Sequence, residues 1–487
     1  MPPLVRGRAD RSRSDSMGVK GLQSYVQNRL PLTDYVVELA SLRAGAADAV
    51  VVDGMALIRK LYEQTLDWVG GGQFLELWCN VRDFVGAFRG AGLRLIVFFD
   101  GGVDDAKLDE WLSRRKRDLS NCDKVLQCLQ RGEGPPKAAW SPPANISKWV
   151  GGAFGDHGCE VHYTVGEADR EMVQYCLENP ARTVGLLGQD SDFLVLPTPT
   201  YLVLETLRLY APRPVVAAYP RSAVVGMFAL PSPLMPLVAS LVGNDFVSQA
   251  ALAPFHSRLL AGTGHSASGG PLIEAVAAHV RTKCAAARWA GPRPTTPLLW
   301  SALDFGNSLG AAEREAVEAS LAQYETGDFP PPPTCGGTSA EMLARFRRGD
   351  LEPTVFAVAN GRGVYRGPSL DQPGALPSVL ASRAIRAEAY ACCVARPIPS
   401  EGRRRDLPRE LRAHAGDLLQ REGEGERFRR EEPAAIPAAD DDDDVLAELP
   451  DALPICSVCL DKHVDTALTP CFHCSFCSEC AAAISSR

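Results

Sequence analysis

Asp53, Asp100, Glu167, Asp169, Asp190, Asp192 and Asp245 each follow an apolar run or open a helical pattern. AVVVDG carries Asp53, LIVFFDGG carries Asp100, and VGLLGQDSDF carries Asp190 and Asp192. TVGEADRE places Glu167 and Asp169 at the start of a helix, and LVGNDF holds Asp245. One Asp after a strand is ordinary cap or turn chemistry. Seven acids in this arrangement ask for more. An apolar run that ends in an acid reads as a buried parallel strand with the acid at its exposed carboxyl end. In open α/β sheets that edge is where ligands bind. Carboxylates gathered there repel one another, and hard divalent cations, which prefer oxygen ligands, neutralise them. Two such ions about 4 Å apart clamp both oxygens of an in-line displacement at a phosphodiester. The chemistry expected is therefore that of a nuclease using two Mg²⁺ or Mn²⁺ ions.

Such acids need a scaffold. Residues 17–250 alternate strand candidates with amphipathic helices, as in LIRKLYEQTLDWV and FLELWCNVRDFVGAF. That alternation predicts βαβ units around a parallel sheet. Residues 251–397 are richer in Ala and Leu and read as a helical extension, with LIEAVAAHVRTKCAAARW and AAEREAVEASLAQYE the clearest helices. Residues 1–16 carry four arginines and read as a disordered extension, or as lying before a true start at Met17. Residues 398–453 mix Arg, Glu, Gly and Pro with the Asp440 to Asp444 run. They bury too little apolar area to offset their ordering entropy, so a disordered linker is expected.

Composition sets bounds. The chain has 487 residues, 46% of them hydrophobic, which is ample for a sizeable core. The formal charge of −8 includes the acid run and the candidate site, so its sign does not argue against a nucleic-acid partner. Nine of the 15 cysteines are scattered through the first 400 residues and six fall in the last 32. That is not a small secreted disulfide framework, and no secretory signal opens the chain. No apolar stretch is long and charge-free enough to span a bilayer. The compartment expected is reducing: the nucleus, or otherwise the cytoplasm.

MGVKGL at Met17, VVVDG, VFFDGG, GEADRE, GQDSDF and VGNDF occur in one order. That series resembles the flap endonuclease and XPG-like nucleases, a superfamily with a PIN-like α/β core. The wording DGG, EADR, DSDF and GND is closest to its asteroid homolog branch. The resemblance implies that Asp53, Asp100, Glu167 and Asp169 serve a first metal. It implies that Asp190, Asp192 and Asp245 serve a second, some through water. It also implies a Lys and an Arg on the helix after the second strand. Lys107 and Arg114 stand at those spacings, on one helical face, where they would hold the scissile phosphate. The alternative for both is a solvated helix face, or a nuclear-import patch at Arg114 to Arg117. Two departures stand out. Asp169 replaces the usual Glu, and VGNDFVSQAALAPFHSRL lacks the glycine-rich helix-two-turn-helix that grips duplex backbone.

The last residues hold a separate constellation. Cys456 and Cys459 are spaced C-x2-C, Cys471 and His473 C-x-H, and Cys477 and Cys480 C-x2-C. Paired knuckles at this spacing supply zinc's tetrahedron. The arrangement resembles a RING finger of the inhibitor-of-apoptosis type. The resemblance implies one Zn²⁺ site closed by Cys456, Cys459, Cys477 and Cys480. Cys471 and His473 begin a second, whose final pair is absent, so a RING cut short at Arg487 is expected.

The architecture expected is α/β: a PIN-like parallel sheet flanked by helices (17–250), a helical extension (251–397), a linker (398–453) and a small partial zinc module (454–487). The function expected is metal-dependent hydrolysis of DNA, or of RNA, at single-strand or overhang junctions. The competing readings are a non-cleaving scaffold for nucleic acid or protein, and a ubiquitin ligase whose zinc module meets a ubiquitin-conjugating enzyme.

Overall fold

The computed structural model describes residues 18–43, 45–62, 66–69, 73–101, 108–140, 143, 146–209, 213–261, 268–286, 288, 299–300, 309–325, 340–350, 466–468 and 473–476. The elements begin with α1 (Leu22–Arg29), α2 (Leu32–Tyr35) and β1 (Val36–Glu38). β2 (Ala49–Asp53), α3 (Gly54–Tyr62), α4 (Phe74–Gly90), β3 (Arg94–Phe99), α5 (Leu108–Gln130), α6 (Ile146–Asp156) and β4 (Glu160–Tyr163) follow. Next come α7 (Ala168–Glu178), β5 (Thr183–Gly188), β6 (Thr200–Arg208), β7 (Val215–Pro220), α8 (Arg221–Phe228) and α9 (Met235–Val242). The remaining helices are α10 (Ala253–Leu259), α11 (Gly269–Ala286), α12 (Ala311–Gln323) and α13 (Ala340–Arg347).

β1 to β7 form one sheet in the order β1-β7-β6-β5-β2-β3-β4. β6, β5, β2, β3 and β4 run parallel, as the apolar runs predict. β7 and β1 instead add antiparallel at the β6 side. β2 is buried at all five positions and β3 at five of six, so both faces of the sheet are covered. Period-two alternation divides their side chains. Ala49, Val51, Ile96 and Phe98 join the apolar cluster with α1, α7, α9, α11 and α12. Their neighbours Val50, Val52, Val97 and Phe99 are turned to the opposite side, where α3, α4 and α6 pack.

The predicted helix over LIRKLYEQTLDWV is shorter in the structure. α3 ends at Tyr62, and Leu66 to Val69 are not helical. There, side chains capture the backbone: Asp67 N–H donates to Gln73 Oε1 and Val69 N–H to Asp67 Oδ1. Such local bonds compete with the helical ladder.

The described helices between residues 250 and 325 pack onto the sheet, and residues 351–397 lie outside the described residues. Leu252, Phe255, Leu272, Ile273, Val276, Val317 and Leu321 belong to the same buried cluster as Val51 and Leu186. The described residues divide into two units at Gly349. In the second, β8 (Thr466–Leu468) and β9 (His473–Phe476) form an antiparallel hairpin. Cys456, Cys459, Cys471, Cys477 and Cys480 lie outside the described residues, as do residues 1–16 and 398–453. Among the described residues no single helix is long and apolar enough to cross a membrane.

Candidate metal centre

From β2 the chain moves through β3 to β4 in one direction, then returns to place β5 on the other side of β2. The sheet's switch point therefore lies beside β2, and ligands of open α/β sheets bind there. Asp53 is the last residue of β2, Asp100 follows β3, and Asp190 lies two residues past β5. Neighbouring strands are about 4.8 Å apart, so three acids crowd one short edge.

Each of the three first answers a backbone need. Asp53 Oδ1 accepts from Ala56 N–H at 3.0 Å, in the first turn of α3. Asp190 Oδ1 accepts from Asp192 N–H at 2.9 Å and holds the 3₁₀ turn Ser191–Leu194. Asp100 Oδ1 accepts from Ala168 N–H at 2.7 Å, tying the end of β3 to the start of α7. That tie brings in Glu167, the N-cap residue of α7, and Asp169 in its first turn, both half-buried. Negative charge suits a helix N-terminus.

The crowding has an electrostatic consequence. Burial, then the charge of Asp100 and further that of Asp190, raises the Asp53 carboxyl from 3.8 to about 7. The folded protein thus binds a proton more readily than the unfolded chain. Stability rises as pH falls through about 7 and levels off below the unfolded value. The gap corresponds to on the order of 4 kcal/mol forgone above pH 7. Asp53→Asn keeps a cap acceptor for Ala56 and removes the charge. It is expected to raise the melting temperature at pH 8 and to flatten the pH dependence between 6 and 8. Thermal melts across that range check this, and an unchanged slope would refute the crowding.

Asp192 and Asp245 have different surroundings. The Tyr324 hydroxyl, just past α12, donates to Asp192 Oδ1 at 2.9 Å. Burial, then the charge of Asp192, holds that phenol well above its usual range. Arg114 Nη2, on α5, lies 2.7 Å from Asp245 Oδ2. Lys107 precedes α5 and lies outside the described residues. Gly18 stands against the cluster with φ +75. A Cβ there would meet Asp190 Oδ1 at 2.3 Å and Asp192 Oδ1 and Ser191 Oγ at 2.8 Å. The glycine of MGVKGL thus leaves room for the acids.

Sequence reasoning missed Tyr324, Asn244 and Arg221. Arg221 donates to the carbonyls of Leu194, Val195 and Leu196 at 2.8, 2.9 and 2.8 Å, and to Ser232 Oγ at 3.0 Å. It fastens the far end of the turn that bears Asp190 and Asp192. Burial lowers its guanidinium to about 10. Arg221→Met strands three buried carbonyls and is expected to cost about 3 kcal/mol. Urea denaturation measures this, and a loss under about 1 kcal/mol, the mean of one ordinary hydrogen bond, would deny the clamp.

As arranged, no group of three or more His, Cys, Asp or Glu side chains among the described residues encloses a metal position. The donor chemistry nonetheless fits a hard cation. Asp53, Asp100 and Asp190 offer only oxygen, two of them are buried, and their charges oppose one another.

No family model matches the chain. The chain is similar to solved structures at low score. The catalytic core of Rad2 matches with a TM-score of 0.35 and 15% identity, over 68% of this chain and 94% of that one. Human GEN1 in complex with Holliday junction DNA matches at 0.33 and 15%, over 63% of each chain. Among curated proteins the likeness is to the constitutive coactivator of peroxisome proliferator-activated receptor gamma. The Mus musculus protein is 31% identical over 252 residues, 50% of this chain and 31% of the relative. The Bos taurus protein is 31% identical over 276 residues, 54% and 39%. The chain spans about a third of the length of the curated relatives it matches.

Proposed function

We propose that this chain is a metal-dependent nuclease that hydrolyses DNA phosphodiesters at single-strand or overhang junctions, with the nucleus as its compartment. One observation carries the reading: Asp53, Asp100 and Asp190 crowd the switch point of a parallel sheet, with Asp53 held protonatable near neutrality. A Mg²⁺ or Mn²⁺ ion bound there would activate water and offset charge on the phosphate. Asp53, Asp100 and Asp190 would hold the ion, with Glu167 and Asp169 beside it at the start of α7. Arg114, paired with Asp245, and Lys107 are proposed to serve the substrate side. The test is cleavage of a labelled panel of single strands, overhangs and flaps, in DNA and in RNA, with Mg²⁺ or Mn²⁺. No cleavage of any substrate would sink the enzyme reading.

A second reading, a scaffold that does not cleave, is favoured by the relatives' names, which describe coactivators. Binding of the same panel without cleavage would move it to first place. At the carboxyl end, Cys456, Cys459, Cys477 and Cys480 are proposed from their spacing to close one zinc site. Ubiquitin transfer would need the second site that Cys471 and His473 only begin.

A further inference from the structure

The end of α12 meets two acid-bearing segments at once. The Tyr324 hydroxyl donates to Asp192 Oδ1 at 2.9 Å, in the turn after β5. At the next residue, Glu325 O accepts from Arg170 Nη2 at 3.0 Å, in the first turn of α7. Arg170 stands between Asp169 and Glu171. α7 and the turn after β5 belong to the α/β core, whereas α12 comes from the helical extension.

This end of α12 is itself anchored. Asn244 Oδ1 accepts from Phe246 N–H and Val247 N–H, both at 3.0 Å. That fixes the amide, so its Nδ2 donates to Ser320 Oγ at 2.8 Å and to the Tyr324 oxygen at 3.1 Å. Ser320 Oγ lies 2.7 Å from Ser240 Oγ on α9. A tyrosine hydroxyl has one proton. Since the Tyr324 oxygen accepts from Asn244, its proton points to Asp192. Ser240, Asn244, Ser320 and Tyr324 are all buried, so the network has little water to exchange with.

Each acid-bearing segment passes the constraint on. Asp192 N–H donates to Asp190 Oδ1 at 2.9 Å, so a shift of Asp192 moves a donor that orients Asp190. Ala168 N–H donates to Asp100 Oδ1 at 2.7 Å, so a shift of α7 moves a donor that orients Asp100. We infer that the end of α12 is a brace that sets the spacing of the acid cluster, with Tyr324 a positioning residue acting through Asp192. Displacing reacting groups by about 1 Å costs on the order of 10²-fold in rate. The effect on rate rests on the nuclease reading above, whereas the brace itself is read without cleavage.

Tyr324→Phe keeps the ring and removes the hydroxyl. Tyr219→Phe, on β7, is the control: it removes one hydroxyl bond, to Leu30 O at 2.8 Å, from a residue that is also buried. Hydrogen exchange of the full chain is followed by mass spectrometry. Tyr324→Phe is expected to quicken exchange about 5-fold in residues 190–196, the change that one net hydrogen bond brings. Tyr219→Phe should leave that segment unchanged at a similar fall in melting temperature. In cleavage, Tyr324→Phe is expected to lower the single-turnover rate roughly 10- to 100-fold while substrate affinity holds within about twofold. Arg170→Met, at a half-buried position, removes the other arm and should quicken exchange in residues 167–171. It replaces Tyr324→Phe if that variant fails to fold, as judged by circular dichroism. Unchanged exchange or an unchanged rate in the folded variant, or equal slowing by Tyr219→Phe, would overturn the inference and leave the nuclease reading standing. A chain that cleaves nothing would overturn the nuclease reading and the effect on rate with it, and exchange would still decide the brace.

Discussion

Asp190→Ala is expected to abolish metal-dependent cleavage while the sheet stays folded. The carboxylate lies just beyond β5, next to β2, and its charge contributes to the raised Asp53 carboxyl. Removing a residue that only orients a metal ligand costs about 10- to 100-fold. Removing a proposed ligand should exceed that, and a fall of roughly 10³-fold or more, about 4 kcal/mol, is expected in the single-turnover rate at saturating enzyme. The structural cost is smaller. The bond to Asp192 N–H is among those lost, on the order of 1 kcal/mol, and relief of like-charge repulsion offsets part of it. Asp100→Ala should also stop cleavage, but it cuts the tie between β3 and α7, so its effect on the fold is larger. Undiminished cleavage by purified Asp190→Ala protein would remove the metal mechanism.

Gly101→Ala is expected to be the most disruptive single methyl addition at the site. A Cβ at Gly101 would lie 1.7 Å from Thr164 O and 2.9 Å from Thr164 C, both backbone atoms. Neither side can yield easily. Gly101 N–H donates to Gly166 O at 3.0 Å, and Thr164 N–H donates to Phe99 O at 3.0 Å. The Thr164 hydroxyl donates to Gly166 O at 2.6 Å. The ends of β3 and β4 are thus locked where the methyl must go. A loss on the order of 4 kcal/mol is expected, with a fall in melting temperature of roughly 10 °C. Gly152→Ala on α6 is the control, since a Cβ there meets nothing within 4 Å. It should be neutral or slightly stabilising. Equal melting temperatures for the two variants would show that the loop at Gly101 relaxes freely.

Much of this site was legible in the chain. The apolar runs before Asp53, Asp100 and Asp190 announce strands because both faces of a parallel sheet are buried, and β2, β3 and β5 are where those runs stand. The glycines after Asp53 and Asp100 mark close approach, although not what approaches. Gly54 faces Phe99 and the Phe98 carbonyl, and Gly101 faces Thr164. Other features had no local signal. VVAAYP reads like any other apolar strand, and its antiparallel direction is set by pairing with β6. Tyr324 ends an ordinary amphipathic stretch, and Arg221 is one arginine among many.

By itself, then, the sequence determined the strands, the acids at their carboxyl ends and the helices that cover them. Those features repeat at short spacing and follow from burial and backbone geometry within each segment. Only the tertiary structure decided which acids face one another and which have partners from elsewhere. Asp192 meets Tyr324 across 132 residues and Asp245 meets Arg114 across 131. No periodicity reaches that far. Such pairs form because a buried carboxylate must find a donor, and the donor is whichever group the packed core brings to it.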